Sequence, residues 1–164
     1  MSAGCQVLLL GFGNPGRADD GLGPALAGAV AALALPLVHA ESSYHLKVED
    51  SLEALLADIV VFVDASVLQD APFHFVPVRP DGSANFSSHA ISPADLMGVV
   101  AGLCAEMPDA YLLTVRGSDF NRLHEGLSGA AQRDLAAALR FLVPLLEACD
   151  PAAFRAACAL SWHE

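Results

Sequence analysis

Short runs of unbroken apolar residues alternate along this chain with longer stretches in which alanine and leucine recur at helical spacing. Residues 6–10 form the first apolar run and predict a buried strand. Residues 22–35 predict a helix that stops near Pro36, and residues 37–40 a second strand. A short helix is expected over 51–56, with Ser51 as its N-cap. The segment 58–64, Asp-Ile-Val-Val-Phe-Val-Asp, is the most strand-like in the chain. Its β-branched residues leave no polar face, as befits a central parallel strand covered on both sides. Residues 73–78 alternate less cleanly and contain Pro77, which places them at an edge or in a distorted strand. Ser92-Pro93 is a strong helix start, leading into 94–106, and 111–115 predict a further strand. Ser128 then caps a long helix to about Cys149, with a kink expected near Pro144. Asp150-Pro151 interrupts it, and 152–159 form a last helical piece. Strands alternating with helices predict an α/β fold, a three-layer α/β/α sandwich whose twisted sheet of about five strands is mainly parallel.

With 164 residues the chain is the size of one domain and can bury a sizeable core. No linker, repeat or low-complexity tract divides it, so residues 1–164 are read as one domain, the helical tail from about 144 being unplaced. The apolar fraction is 54% and the mean hydropathy +0.47, yet no run reaches membrane-spanning length. The start lacks the pattern of a signal peptide, and the four cysteines form no CxxC pair, which excludes a zinc ribbon or redox motif. A cytoplasmic protein with reduced thiols is expected. Nineteen acids against eight bases give a net charge of −11. That balance argues against nucleic acid as a partner, since phosphate binding rests on cationic neutralisation.

The first strand empties into Gly11-Phe12-Gly13-Asn14-Pro15-Gly16-Arg17-Ala18-Asp19-Asp20-Gly21-Leu22-Gly23. Its Gly11-x-Gly13-x-x-Gly16 spacing matches a dinucleotide fingerprint, with Glu41 as the ribose-binding acid. Against this, Pro15 removes one N–H donor, and Asp19 and Asp20 would stand where a diphosphate belongs. A plainer reading makes the two aspartates an acidic N-cap for the next helix. Asp19 is expected to cap or brace the loop, and Asn14 to secure the turn through its side chain.

In open α/β sheets ligands bind beyond the carboxyl ends of the strands. Asp20 follows the first strand, Asp64 ends the apolar strand 59–63, and His89 closes the polar loop before Ser92. Taken singly, Asp64 is also a turn former for 65–68, and His89 a solvated loop residue. Together, two carboxylates and an imidazole make an O/O/N donor set suited to Ni(II) or Zn(II). His39, His45, His74, His124 and His163 show no ligand spacing. No GxSxG elbow exists, and neither Ser118 nor any cysteine has an activating context.

These residues resemble the endopeptidases that mature [NiFe] hydrogenases, whose first-strand loop reads GxGNxxxxDDGxG, or DE in place of DD. Gly11 to Gly23 fits at every fixed position; Val61-Phe62-Val63-Asp64-Ala65-Ser66, Ser87-Ser88-His89 and Glu125-Gly126-Leu127-Ser128 match three further features, so the resemblance spans about residues 6–143. It implies an enzyme: a hydrolase, specifically a metal-gated protease that removes a C-terminal extension from the nickel-loaded large-subunit precursor. Asp20, Asp64 and His89 would bind the nickel, supplied by that precursor, and carry the catalysis; zinc or cadmium would also fit in vitro. Many members carry Glu where this chain has Asp20. Their Gln-Pro pair after the fifth strand is replaced by Thr114-Val115-Arg116-Gly117-Ser118-Asp119-Phe120. That segment and residues 44–50 look more like members serving cytoplasmic, cofactor-coupled hydrogenases. A nickel escort that cuts nothing is the alternative from another functional class.

Overall fold

The computed structural model describes residues 4–82 and 90–160. Five strands form one sheet: β1 (Val7–Phe12), β2 (Val38–Ser43), β3 (Ile59–Ser66), β4 (Phe73–Pro77) and β5 (Asp109–Arg116). Their order is β2-β1-β3-β5-β4, with β4 antiparallel to β5 and all other pairs parallel. The helices are α1 (Leu22–Ala32), α2 (Asp50–Ala54), α3 (Pro93–Leu103), α4 (Gly129–Ala148) and α5 (Pro151–Leu160). Both faces of the sheet are covered, which is why its central strands lack polar alternation. Val7, Leu9, Ile59, Val61 and Val63 point into the core shared with α1, α4 and α5. Their neighbours Leu8, Leu10, Val60 and Phe62 pack against α2 and α3 on the other face. The architecture is the three-layer α/β/α sandwich read from the sequence, with Pro77 closing the antiparallel edge strand.

Several boundaries move, each for a physical reason. β2 continues to Ser43 because it is an edge strand, where polar residues join the ladder without being buried; Ser43 pairs with Phe12. Ser51 does not cap α2. It is buried inside the helix, and its hydroxyl donates to the Val48 carbonyl at 2.6 Å. Ser92 and Ser128 do cap α3 and α4, the former in a reciprocal capping box with Asp95. α4 continues past Pro144 to Ala148, with the proline on its exposed side.

The tail that the sequence left unplaced belongs to the core. Phe154 of α5 is fully buried, 5.6 Å from the Tyr111 ring and 6.4 Å from that of Phe75. Phe75 in turn stacks on Tyr111 at 5.1 Å, so α5 seals the β4–β5 side of the sheet. No helix among the described residues is long and apolar enough to cross a membrane.

Candidate active site

The strand order reverses between β1 and β3: the chain leaves β1 toward β2 on one side and later reaches β3 on the other. This is the crevice in which open parallel sheets bind ligands. β1 pairs with β3 only as far as Gly11↔Val63, while β3 continues for three more residues beside β5. Asp64 is therefore not the end of its strand, as the sequence suggested. It is the first β3 residue beyond the pairing with β1, and it opens onto the loop that leaves β1.

That loop is folded by its own polar groups. Asn14 Oδ1 accepts the Gly16 N–H at 2.8 Å and its carbonyl accepts that of Arg17, which makes the expected side-chain-secured turn. Gly13 has φ +141°, and a Cβ there would fall 2.0 Å from the Asp20 carbonyl oxygen; only glycine fits. Residues Ala18–Gly21 form one 3₁₀ turn, and α1 begins directly after it. A Cβ on Gly23 would lie 2.3 Å from the Phe12 carbonyl and 2.7 Å from that of Val63, so glycine lets α1 approach the ends of both strands. Neither aspartate caps α1, whose N-cap, Gly21, has no side-chain bond.

Asp20 is half-buried, and its carboxylate accepts the Asn14 N–H at 2.9 Å. Asp64 Oδ1 accepts its neighbour Ala65 N–H at 2.8 Å. Burial pushes the Asp64 carboxyl up to about 6, against the Ala65 hydrogen bond, and the negative charge of Asp20 adds to the rise. Two carboxylates thus face one crevice without an intervening cation from the described residues. Such a pair suits a divalent ion or a shared proton. His89 lies outside the described residues, so the third member of the predicted set is not placed.

The dinucleotide reading fails on hydrogen-bond accounting. Gly13 N–H goes to Ser43, Asn14 to the Asp20 carboxylate, Gly16 and Arg17 to Asn14, Ala18 to His124, Asp19 to Asp119 and Asp20 to Arg17. Pro15 has none to give. The N–H groups of the loop from Gly13 to Asp20 are thus already engaged within the protein. Glu41, the supposed ribose acid, instead pairs with His39 at 2.6 Å on the exposed edge of the sheet.

Asp19 does brace the loop, as its sequence position suggested, and its partners come from far along the chain. The side chain is fully buried and accepts the N–H groups of Ser118, Asp119 and Ser128 at 2.9, 2.9 and 2.7 Å. The Ser128 hydroxyl donates to it as well, at 2.8 Å. Burial alone would raise this carboxyl, but the donors together outweigh it and hold the group below its ordinary range. The sequence marks Ser128 as a helix cap and as the end of the Glu125-Gly126-Leu127-Ser128 match, not as a partner of Asp19. It gives no sign of the partnership, because donors of this kind are mostly backbone N–H groups.

Other candidates for chemistry are weaker. All four cysteines are thiols outside any disulfide; burial pushes Cys158 up to about 11 and raises Cys5 and Cys149, the reverse of activation. His39, Glu41 and Glu53 bring ligand atoms within 4.8 Å of one another, a grouping the sequence spacing did not reveal. All three are exposed, as is common for surface charges. Beside the glycine loop lies a cavity of about 370 Å³ lined by Gly13, Pro15, Pro24 and residues 42–45 and 47.

No protein-family model and no curated protein sequence matches the chain. Solved structures do. The hydrogenase maturating endopeptidase HybD from E. coli superposes with a TM-score of 0.68 at 21% identity, covering 87% of this chain and 93% of that one. The [NiFe] hydrogenase maturation protease HycI from Thermococcus kodakarensis KOD1 gives 0.68 at 18% identity over 89% and 95%. A hydrogenase 2 maturation peptidase from Thaumarchaeota archaeon SCGC_AB-539-E09 gives 0.63 at 20% over 86% and 97%. The chain has the fold of the hydrogenase maturation endopeptidases over nearly the whole length of those proteins.

Proposed function

We propose that this protein is an endopeptidase that removes a C-terminal extension from the nickel-loaded large-subunit precursor of a [NiFe] hydrogenase. The observation that carries this reading is the meeting of Asp20 and Asp64 at the reversal point of a sheet with the fold of such endopeptidases. Two carboxylates, with the His89 imidazole as third donor, match the chemistry of a borderline divalent cation. Nickel belongs to the substrate in this reading: the precursor brings it, and its positive charge offsets the repulsion between Asp20 and Asp64. A metal site that is one half enzyme and one half substrate makes cleavage conditional on metal insertion.

The chain's own residues then have distinct tasks. Asp20 and Asp64 orient the loaded precursor, so that the scissile peptide reaches a fixed place at the crevice. We assign the general base to Asp64, whose carboxylate stands at the reversal point of the sheet beside the loop that carries Asp20. It takes a proton from the attacking water as the water oxygen bonds to the peptide carbonyl carbon. The same proton is returned to the departing amine nitrogen when the C–N bond breaks. The reaction needs no protein nucleophile, in keeping with the unactivated cysteines. We further propose a cytoplasmic location, in keeping with four cysteines that form no disulfide.

The test is processing of a nickel-loaded precursor followed by gel shift of the large subunit, with wild type beside Asp20→Asn and Asp64→Asn. Cleavage by wild type alone is the expected result. Full cleavage by Asp64→Asn would remove that residue from the scheme.

A further inference from the structure

We propose that Asp19 is the positioning residue of this site, and that through it the β5–α4 loop, residues 117–128, fixes where Asp20 stands. The inference rests on the function proposed above. Asp19 and Asp20 share one 3₁₀ turn, so the backbone of one cannot rotate without moving the other. Asp19 is immobilised by four close donors, all from Ser118, Asp119 and Ser128, about a hundred residues further along the chain. Backbone bonds join the same two loops at Ala18 N–H to His124 and Asp19 N–H to Asp119, and the Arg17 guanidinium donates to Phe120.

A carboxylate is the side chain this place demands. Every partner donates, and an amide would set its own N–H₂ against one of them. The loop is held at its base too, where Arg116 forms an ion pair at 2.8 Å with Asp134 of α4. Ser128 links the parts: its hydroxyl donates to Asp19 and accepts the Ala131 N–H, which ties the first turn of α4 to the clamp. A segment that supplies none of the predicted ligands therefore determines the geometry of one that does. Displacements near 1 Å can cost about a hundredfold in rate, so such a clamp has large leverage.

Ser128→Ala in the full chain tests this. It removes the hydroxyl bond to Asp19 but leaves the three N–H donors, so folding survives. It also removes the α4 cap, which Asp150→Ala controls for: Asp150 Oδ1 accepts the Ala152 N–H at the start of α5. Ser128→Thr keeps the hydroxyl. With nickel-loaded precursor, Ser128→Ala should lose at least tenfold in kcat with KM unchanged, Ser128→Thr should recover it, and Asp150→Ala should match wild type despite a lower melting temperature. Turnover by Ser128→Ala equal to that of Asp150→Ala would overturn the proposal. Hydrogen exchange at the Asn14 amide, which donates to Asp20, gives a readout independent of activity. Faster exchange there in Ser128→Ala, but not in Asp150→Ala, supports the clamp, and unchanged exchange refutes it. If wild type cleaves nothing, the proposed function falls, while exchange still decides whether Asp19 positions Asp20.

Discussion

Asp64 stands one residue past the last β1–β3 pair, and from the loop that leaves β1 the charge of Asp20 acts upon it. The relationship is costly for the protein alone. Burial and a like charge both disfavour ionised Asp64, and the Ala65 hydrogen bond does not offset them. An arrangement that costs stability in the free protein is expected where a cation or a proton is later received.

Replacing Asp64 by Asn should therefore separate activity from stability. Loss of a general base typically costs a hundredfold to ten-thousandfold, so processing should fall by roughly 10²-fold or more. At pH 7 the melting temperature should rise, because a buried charge has been removed. Calorimetry beside a cleavage assay checks both halves; a lower melting temperature at neutral pH would contradict the electrostatic account.

The same residue sets a pH dependence. A carboxyl raised to about 6 in the folded state holds its proton where the unfolded chain has released it. Its contribution to stability is full below the unfolded value near 4 and declines as pH rises through 6. Wild type should lose stability over this interval relative to Asp64→Asn, whose curve should be flatter there. Urea melts at half-unit pH steps measure the difference.

Asp19 has the opposite sign. Its lowered carboxyl stabilises the fold above the unfolded pKa and loses that contribution as pH falls through the folded value, in the acid range. Asp19→Asn leaves donors facing donors in a buried place and should cost about 3 kcal/mol, measured by urea unfolding at pH 7.

Gly13→Ala forces a side chain into a left-handed backbone and onto the Asp20 carbonyl. A loss of about 1–3 kcal/mol is expected, with weakened processing as the Asp20 turn shifts. Denaturant midpoint and cleavage rate should fall together.

Phe154→Ala tests whether α5 is part of the core. Removing a buried ring from the Phe75–Tyr111 cluster should cost about 3–5 kcal/mol, seen as a drop in urea midpoint. A change below 1 kcal/mol would mean that the tail contributes little.

The sheet was readable in the sequence where burial is two-sided: the unbroken run Ile59–Val63 admits few readings other than a central strand. The edges were less readable. Glu41, Ser42 and Ser43 look like loop residues because an edge strand tolerates polar side chains, and α5 was left unplaced because a helix pattern does not say which face of a sheet it will cover. The same limit governs the site. Asp20 and Asp64 stood out because carboxylates at strand ends are locally unusual. The Asp19 clamp did not, since it is made chiefly with main-chain N–H groups that every sequence possesses.

The most direct measurement is the intact mass of a hydrogenase large-subunit precursor before and after incubation with this protein, with and without nickel loaded. The account predicts loss of one C-terminal fragment from the loaded precursor and no change in the nickel-free one. An unchanged mass for a cognate precursor of demonstrated nickel content would contradict it.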